Sequence, residues 1–354
     1  MKVLFIINQL GGGGAERVLT IIANHMAEEG IDVSILSFTP SQPKYKINSL
    51  IHLYENEIKH KTAIRVAYSI RKVVKEIKPS IIISFEYHMN MKMLLGTIGM
   101  KSARKIISER NDPARKGGQF GYRQARELLY RSAELLVCQT EDAKSYFSKE
   151  IQNHTVIIPN PVSDEIPDPW DGEREKRIVN FCRLEKQKNI PLLIDAFEIF
   201  AKNHDEYKLE IYGDGSLKDE LKGYISDKGL CDKVTIFSSS PEIHHKVLKA
   251  AMFVSASDYE GISNSMLESM AMGIPTICTD CPCGGARMII EDGKNGFLTQ
   301  VGNAQDIAYK MAMIADNFEL SKRLSKKSVL IREELSSKKI VDKWMKEVLA
   351  SKNG

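Results

Sequence analysis

The fold class is decided by residues 2–38, KVLFIINQLGGGGAERVLTIIANHMAEEGIDVSILSF. Lys2–Asn8 is an apolar, β-branched run, as expected of a strand that is buried on both faces. Four glycines follow, and apolar residues then recur at helical spacing from Ala15 until Gly30, which ends the helix. Because Asp32–Phe38 again has the pattern of a strand, the stretch predicts a βαβ unit.

The alternation of strands and helices continues in two runs. In the first run we predict strands at 80–85, 105–108, 135–138 and 155–158 and helices at 64–77 and 124–132. A stretch of turn-forming and acidic residues, from Pro159 to Gly172, indicates a linker. Beyond it we predict strands at 177–182, 207–212, 233–237, 253–256 and 276–279, and helices at 191–203, 216–226, 244–250, 263–272 and 306–316.

This pattern predicts an α/β protein with two domains, each built on a doubly wound parallel sheet. We place the domains at residues 1–165 and 166–337. The last predicted helix, 338–350, carries Ile340, Val341, Trp344 and Val348 on one side. We therefore expect the segment 338–354 to pack back on the first domain.

Composition limits the class of protein. The 354 residues suit two domains, and 43% hydrophobic with 27% charged residues is an ordinary globular mixture. A net charge of +4, from 50 basic and 46 acidic residues, argues against non-specific nucleic-acid binding. No apolar run has the length of a membrane helix or of a secretory signal. With six cysteines taken as reduced thiols, we expect a cytoplasmic protein.

The glycine run 11–14 places several backbone N–H groups beside a helix N-terminus, whose dipole favours an anion. A dinucleotide-binding fingerprint needs a glycine at the position of Glu16, and a P-loop needs Gly-Lys-Ser/Thr, so neither motif is matched. Two interpretations stay open at this point: a phosphate-type site and a tight strand-to-helix turn.

In the second half, basic residues follow a predicted strand. Arg183 and Lys188 lie in one loop at the carboxyl end of the strand, where parallel sheets bind ligands. A guanidinium with a mobile ammonium suits a diphosphate, and a solvated basic loop is the alternative. Gly213-Asp214-Gly215 follows the next strand, either as a turn of close approach or as a simple turn into a helix.

Two glutamates stand eight positions apart in the strongest local feature, residues 257–268. Glu260 follows a strand, and Glu268 lies in the second turn of a helix that Ser263 is expected to cap. The neighbours of Glu268 in sequence are apolar, so a carboxylate there is costly unless it meets donors such as ribose hydroxyls. A glutamate on a helix surface is the alternative.

Taken together, these segments resemble glycosyltransferase family 4 (group 1), the retaining nucleotide-sugar enzymes of the GT-B fold. Four segments match in order: the glycine loop with Ala15-Glu16-Arg17, the Arg183/Lys188 loop, Gly213-Asp214-Gly215, and the pair Glu260/Glu268. Residues 279–285, TDCPCGG, and 292–296, DGKNG, match flanking patterns of the family. The resemblance spans nearly the whole chain.

The resemblance implies a role for each matched residue. Arg183 and Lys188 would hold the donor diphosphate and stabilise the charge of the leaving group, so that no metal or other cofactor is needed. The sugar would meet Glu260, and the ribose would meet Glu268. The remaining donor-binding positions are Gly13, Gly14, Gly213, Asp214, Gly215 and the amides of Asn264 and Ser265.

One segment departs from the family pattern. Family members often carry a histidine after the fifth strand of the first domain, where this chain reads Ser108-Glu109-Arg110-Asn111-Asp112. We assign Glu109 and Arg110 to the catalytic site in its place, with His88 as the alternative.

A local excess of basic residues lies between 101 and 131, with Phe120, Tyr122 and Tyr130 interleaved. It suits an anionic membrane surface or a lipid diphosphate, and a solvated helix face is the alternative. Cys278, Cys281 and Cys283 lack a fourth ligand for structural zinc and are expected to be reduced structural residues. His244-His245 is expected to be an ordinary start of a helix.

These expectations combine into one function. The chain would transfer a hexose or N-acetylhexosamine from a UDP-sugar to a lipid-linked saccharide acceptor, at the inner face of the cell membrane, with retained configuration through front-face displacement. An NAD(P)-dependent oxidoreductase is the first alternative, but it requires a third glycine and an acidic residue at the end of the second strand. A nucleotide-sugar-binding protein without activity is the second, and the departure at 108–111 supports it.

Overall fold

The computed structural model describes residues 1–41, 43, 45–58, 62–115 and 121–349. The chain divides into two compact units. The first consists of Met1–Pro161 together with Ser337–Gly354, and the second of Val162–Ser336.

The first unit contains a seven-stranded, fully parallel sheet in the order β3-β2-β1-β4-β5-β6-β7. Its strands are β1 (Lys2–Ile6), β2 (Asp32–Ser37), β3 (His52–Glu55), β4 (Ile81–Phe85), β5 (Arg104–Ser108), β6 (Leu135–Cys138) and β7 (Thr155–Ile157). Its helices are α1 (Gly14–Glu28), α2 (Ala63–Ile77), α3 (Tyr87–Gly96), α4 (Tyr122–Tyr130), α5 (Glu141–Ser145), α6 (Lys149–Gln152) and the C-terminal α15 (Ser337–Leu349).

The second unit contains a six-stranded parallel sheet in the order β10-β9-β8-β11-β12-β13. Its strands are β8 (Glu175–Phe181), β9 (Lys208–Tyr212), β10 (Val234–Phe237), β11 (Ala250–Ser255), β12 (Thr276–Thr279) and β13 (Phe297–Thr299). Its helices are α7 (Ile190–Ala201), α8 (Lys218–Asp227), α9 (Ile243–Val247), α10 (Asn264–Ala271), α11 (Gly285–Ile289), α12 (Ala304–Asp316), α13 (Phe318–Ser328) and α14 (Ile331–Glu334). The prediction of two doubly wound α/β sheets is confirmed.

Each sheet reverses its strand order once, which fixes where loops converge. In the first unit β1 pairs with β2 on one side and with β4 on the other. In the second, β8 pairs with β9 and with β11. Loops that follow the two central strands leave in opposite directions at such a switch point, and the crevice between them is the usual ligand site of doubly wound sheets.

Hydrophobic burial explains why these segments form layers. All five residues of β4 are buried, as expected of a central strand that helices cover on both faces. In α2 the buried residues Val66, Ile70, Val73, Val74 and Ile77 recur at helical spacing. Burial of each such side chain contributes about 1.5–3 kcal/mol relative to exposure.

The boundary between the units lies four residues earlier than the predicted one. The Val162 amide donates to the Leu335 carbonyl (2.7 Å), and Val162 pairs with Ser336 as an isolated β-bridge. The Arg332 guanidinium donates to the Ile166 and Pro167 carbonyls. Residues 162–167 are therefore tied to the end of the second unit.

Helix α15 belongs to the first unit. Its Trp344 ring is fully buried and stacks on Phe85 at the end of β4, with ring centroids 5.6 Å apart. Nη1 of Arg104 donates to the carbonyls of Glu347 and Val348 in the last turn of α15, where a cation also complements the helix dipole. Residue 350 of the predicted helix lies outside the described residues.

In the part of the chain that the structure describes, no helix has the length and apolarity required to cross a bilayer.

Candidate active site

The predicted donor residues converge at the switch point of the second unit. The loop after β8 carries Arg183 and Lys188, and the loop after β11 carries Glu260. Because β8 and β11 are neighbours in the sheet, the two loops begin side by side at the carboxyl end of the sheet. The structure therefore brings together residues that stand 72 positions apart in sequence.

Lys188 and Glu260 form an ion pair, Nζ to Oε1. Both side chains are largely buried, at 11% and 18% exposure. Oε2 of Glu260 accepts a hydrogen bond from the Ser257 hydroxyl (3.1 Å). Burial opposes the charge on Lys188, but the adjacent Glu260 carboxylate outweighs it and the pKa of Lys188 is raised. Lys188 is thus a fixed cation near the carboxyl end of β8.

Arg183 is an exposed cation of the same loop. Among the described residues its guanidinium makes no hydrogen bond and no ion pair. The loop itself is held in place: the Gln187 side chain donates to the Tyr259 carbonyl (2.8 Å), and the Asn189 side chain donates to Asp258 (2.7 Å). Arg183 is therefore a cation available to an external anion on an anchored loop.

Two glycines let the loop after β9 lie directly against the Arg183 loop. A Cβ on Gly213 would come within 2.0 Å of the Cys182 carbonyl oxygen, and one on Gly215 within 2.3 Å of the Leu184 carbonyl oxygen. Between them, the Leu184 amide donates to the Asp214 carbonyl (3.0 Å). The interpretation as a close-approach turn is therefore correct, and its neighbour is backbone of the protein itself.

The side chain of Asp214 is engaged locally. Oδ2 accepts from the Ser239 hydroxyl (2.6 Å) and amide (3.0 Å), and Oδ1 from Lys218 Nζ (3.0 Å). These hydrogen bonds, that of the Ser239 hydroxyl first, hold the pKa of Asp214 well below its usual range.

Glu268 is buried on α10, at 5% exposure. One of its carboxylate oxygens, Oε2, lies 2.8 Å from Nε2 of His244 on α9. A carboxylate at this position was predicted to need hydrogen-bond donors, and His244 is such a donor. His244 itself was expected only to be an ordinary start of a helix. No local signal indicated this pair, because the partners lie 24 residues apart on different elements.

Asn264 and Ser265 open α10 and are half-buried. Ser263 occupies the N-cap position, but its hydroxyl lies 3.0 Å from the Ser265 hydroxyl and accepts no capping bond from the backbone. The expectation that Ser263 caps the helix through its side chain is wrong. The serine side chains instead form a polar patch at the helix N-terminus, a position that favours anions.

The three predicted structural cysteines are reduced and buried, and Cys278 and Cys281 line a small cavity with Ser257, Ser263 and Glu260. Burial raises the pKa of Cys281 to about 12, so the thiol is neutral at physiological pH. Among the described residues, no group of three or more His, Cys, Asp or Glu side chains is arranged to hold a metal ion.

At the switch point of the first unit, the glycine loop meets its own helix. The amides of Gly12 and Gly13 both donate to Oε2 of Glu16, with a distance of 2.7 Å from Gly13. Glu16 is buried, at 6% exposure. The carboxylate of Glu16 thus occupies two of the amides that the sequence analysis offered to an external anion, and Gly14 begins α1.

Glu109 and Arg110 follow β5 and point to different partners. Glu109 is buried and accepts a hydrogen bond from the Tyr130 hydroxyl. Tyr130 also accepts a hydrogen bond from the Asn90 side chain (3.2 Å), and burial, with the nearby Glu109 charge, raises its pKa well above the usual value. Glu109 is therefore a positioned carboxylate at the carboxyl end of β5.

The Arg110 guanidinium donates to Asn160 and, over 3.3 Å, to the Ser108 hydroxyl, and it lies over the Phe85 ring. Burial lowers its pKa to about 9. A cation in this environment remains charged at neutral pH. Arg110 is held against the sheet, unlike the exposed Arg183.

The backbone of Glu86, close to these residues, has an unusual conformation that was not predicted from the sequence. Glu86, directly after β4, has φ 72° and ψ 138°, a backbone conformation that favours glycine and costs a side-chain-bearing residue about 1–3 kcal/mol. His88, the alternative to Glu109 and Arg110, is exposed on α3 in the same turn. Strain at the end of a central strand is typical of functional sites.

The basic segment 101–131 does not form one face. Lys101, Arg115, Arg123 and Arg131 are exposed, whereas Arg126 is fully buried and donates to the Pro113 carbonyl (2.9 Å). Arg104 is engaged by α15 as described above. Lys116 and Phe120 lie outside the described residues.

Two protein-family models match the chain in succession. The model for Glycosyltransferase Family 4 matches residues 12–166, and the model for glycosyl transferases group 1 matches residues 163–329. The second model covers Arg183, Lys188, Glu260 and Glu268, and the first covers the glycine loop from Gly12 onward and Glu109. These matches favour a glycosyltransferase over an oxidoreductase with a similar sheet.

Among curated proteins, a Campylobacter jejuni relative is 27% identical over 363 residues and covers 100% of this chain and 99% of its own length. It is named GalNAc-α-(1→4)-GalNAc-α-(1→3)-diNAcBac-PP-undecaprenol α-1,4-N-acetyl-D-galactosaminyltransferase. Its match along both whole chains extends the similarity beyond either family model.

Solved structures of similar fold include S. aureus TarM, as a mutant in complex with fondaparinux, α-GlcNAc-glycerol and UDP, with TM-score 0.82, 17% identity and coverage of 99% of this chain and 100% of that one. Anabaena HepE in complex with UDP gives TM-score 0.81 at 16% identity and covers 98% of this chain and 99% of that one. At these identities the likeness establishes the fold. The family's motif residues lie at the switch points of the two sheets. The chain therefore belongs to the group 1 glycosyltransferases of family 4 and has the GT-B fold.

Proposed function

We propose that the protein is a retaining glycosyltransferase that moves a hexose or N-acetylhexosamine from a UDP-sugar to a lipid-linked saccharide. Membership of the family supports the coarser statement, a glycosyltransferase that uses a nucleotide sugar in polysaccharide or glycan biosynthesis. The observation that carries the proposal is the arrangement at the second switch point. Arg183, exposed and without an ion-pair partner among the described residues, stands on the same anchored loop as the buried cation Lys188.

The chemistry of the donor fits that arrangement. As the bond between C1 of the sugar and the diphosphate oxygen breaks, negative charge develops on the diphosphate. Two cations placed beforehand stabilise this charge without reorganisation at the moment of reaction. We assign Arg183 to the exposed phosphate and Lys188 to the inner one, where Glu260 fixes the ammonium and faces the transferred sugar.

We propose that the transfer retains the anomeric configuration. We propose that the acceptor hydroxyl attacks C1 on the face that the diphosphate leaves, and that its proton passes to the departing phosphate oxygen, so that atoms and charge balance without a covalent enzyme intermediate. The remaining donor contacts are proposed from Gly13, Gly14, Gly213, Asp214, Gly215, Asn264, Ser265 and Glu268. Glu109 and Arg110 are proposed to act beside the transferred sugar.

Several observations support a UDP-sugar and a lipid-linked acceptor. TarM and HepE, which share the fold, were each solved with UDP. The Campylobacter relative is named for an acceptor saccharide on undecaprenyl diphosphate. No metal is included in the mechanism, since both charges of the diphosphate have a protein cation.

A thermal-shift comparison tests the donor and the need for a metal. At 100 times its dissociation constant a ligand stabilises the folded state by about 2.7 kcal/mol, and this corresponds to a rise in Tm on the order of 5–10 °C for a unit of this size. We expect UDP or a UDP-sugar to produce this rise with or without EDTA. ADP and NADH are expected to leave Tm unchanged.

The result also separates the alternatives. A larger rise in Tm with GDP or a GDP-sugar would show that the donor is a GDP-sugar and not a UDP-sugar, and it would leave the description of the fold unchanged. A response to UDP that disappears with EDTA would contradict the metal-free mechanism.

We further propose peripheral contact with the inner face of an anionic membrane through the first unit. Beside Lys101, the exposed faces of α2 and α3 carry large apolar side chains, with Ile64 at 76% and Tyr68 at 73% exposure. Leu95 and Ile98 are also exposed. The Arg71 guanidinium on α2 donates to the Gly96 and Ile98 carbonyls (3.1 and 2.9 Å), which ties α2 to the end of α3.

Exposed cations border this apolar group, among them Arg65 and Lys72 on α2 and Lys101 after α3. Apolar side chains bordered by cations suit a bilayer surface with anionic lipids. A basic residue near such a surface contributes about 1 kcal/mol.

Vesicle sedimentation tests the membrane contact. The double variant Arg65→Ala/Lys72→Ala is expected to bind phosphatidylglycerol-containing vesicles about 30-fold more weakly, because two favourable charge interactions of about 1 kcal/mol each are lost. The matched control is Lys326→Ala/Lys327→Ala, which removes two exposed cations from α13 of the second unit. Equal binding by the two double variants, or equal binding of the wild type to purely zwitterionic vesicles, would contradict the proposal.

A further inference from the structure

Helix α9 carries a histidine pair with very different environments. His244 has a side-chain exposure of 15% and lies 2.8 Å from the Glu268 carboxylate. Its ring also meets the edge of Phe181, at the end of β8, with ring centroids 6.4 Å apart. His245, the next residue, is exposed. His244 therefore connects α9 to β8 and α10, the two elements that border the donor site.

Glu268, the partner of His244, is buried on α10. Its neighbours on α10, among them Met266, Leu267 and Met270, are buried as well. An ionised carboxylate there needs hydrogen-bond donors. The Nε2–H of His244 reaches Oε2, and a carboxylate can accept about four hydrogen bonds in all.

We propose that His244 is a positioning residue of the donor site: through its bond to Oε2 it fixes the Glu268 carboxylate in the orientation that receives the ribose hydroxyls of the nucleotide. This inference rests on the proposed function, in which Glu268 binds the ribose. A glutamate side chain has three rotatable bonds, and fixing it before the ligand arrives removes that ordering cost from binding. His244 acts on nucleotide affinity and takes no part in bond breaking.

The experiment compares UDP with 2′-deoxy-UDP by titration calorimetry on the full chain. The wild type is expected to bind UDP more tightly, because only UDP offers the 2′-hydroxyl. In His244→Ala we expect UDP affinity to fall about tenfold, in line with the loss of a hydrogen bond to a charged group. The ratio between the two nucleotides is expected to shrink toward one, while kcat at saturating donor stays within about twofold of the wild type.

Two conservative variants separate positioning from packing. Gln places its amide nitrogen near the position of Nε2 and Asn near that of Nδ1, so we expect His244→Gln to retain UDP affinity within about threefold and His244→Asn to behave like the alanine variant. His245→Ala is the matched control on the same helix and is expected to leave affinity unchanged. The Tm of each variant without ligand shows whether α9 still folds.

The outcomes distinguish this inference from the proposed function. If Glu268→Gln leaves UDP affinity and the ratio between the nucleotides unchanged, or if the wild type does not bind UDP, the ribose role of Glu268 falls and His244 falls with it. If Glu268→Gln weakens UDP but His244→Ala leaves the nucleotide ratio at its wild-type value, only the inference about His244 is overturned. Equal affinities of the Gln and Asn variants would overturn it as well.

Discussion

Replacement of Arg183 by alanine is expected to lower kcat by about 10²–10³-fold, the usual cost of removing one preorganised group that stabilises developing negative charge. Arg183 makes no hydrogen bond or ion pair with the described part of the protein and is exposed. The variant should therefore fold like the wild type, with an unchanged Tm. A large loss of rate without a loss of stability distinguishes a catalytic cation from a structural one.

The matched control is Lys186→Ala, since Lys186 is an exposed cation of the same loop. It is expected to change kcat less than about twofold, because exposed surface substitutions have small effects. Steady-state rates of sugar release or transfer from the donor measure both variants. A rate for Arg183→Ala equal to that of the control would contradict the leaving-group role.

Lys188→Ala is a less clean test of the same role. Its removal leaves the largely buried Glu260 carboxylate without its ion-pair partner, and an uncompensated buried charge is itself destabilising. Loss of activity in this variant would therefore combine chemistry with stability, which is why Arg183 is the better probe.

Gly213→Ala is expected to destabilise the second unit by about 3–5 kcal/mol, above the usual range of about 0.5–3 kcal/mol for a single substitution, because its Cβ would overlap backbone atoms. A Cβ at this position would lie 2.0 Å from the Cys182 carbonyl oxygen and 3.2 Å from its carbon. Backbone cannot rotate away as a side chain can, so the loop after β9 and the Arg183 loop must separate. Activity should fall with stability because the donor cations stand on the displaced loop.

Gly223→Ala is the control for this substitution. Gly223 lies within α8, and a Cβ there meets nothing within 4 Å. Alanine in a helix is favoured over glycine, so this variant should be more stable by about 0.4–1 kcal/mol. Denaturant unfolding measures both variants, and a Gly213→Ala protein as stable as the wild type would show that the two loops are not packed as described.

Local sequence patterns predicted the central strands and most large helices, because the strands carry continuous apolar runs and the helices carry burial with a period of 3.6 residues. The edge strand β3 was missed, since three of its four residues are exposed and give no apolar run. The polar helix α13 was missed for a similar reason, because its buried residues are only Leu320, Leu324 and Ser328.

The site was predictable where family motifs or strand ends mark it. The Lys188–Glu260 contact follows from two loops that leave adjacent strands. Contacts that depend on the orientation of a single side chain were not predictable. Glu16 folds back onto the Gly12 and Gly13 amides, Ser263 turns away from its capping position, and His244 reaches Glu268 from another helix. Each is decided by tertiary packing.

The strained backbone of Glu86 was not predictable from the sequence either. A glutamate in the sequence gives no sign of a positive φ, whereas a glycine would have suggested one. Only the three-dimensional structure shows that the turn after β4 holds this residue at φ 72°.

The most direct measurement of the central claim is a crystal structure of the protein with UDP. We predict that oxygen atoms of the diphosphate lie within hydrogen-bond distance of both the Arg183 guanidinium and the Lys188 ammonium, at the carboxyl edge of β8 and β11. A diphosphate bound at any other place, with these two cations unoccupied, would contradict the account.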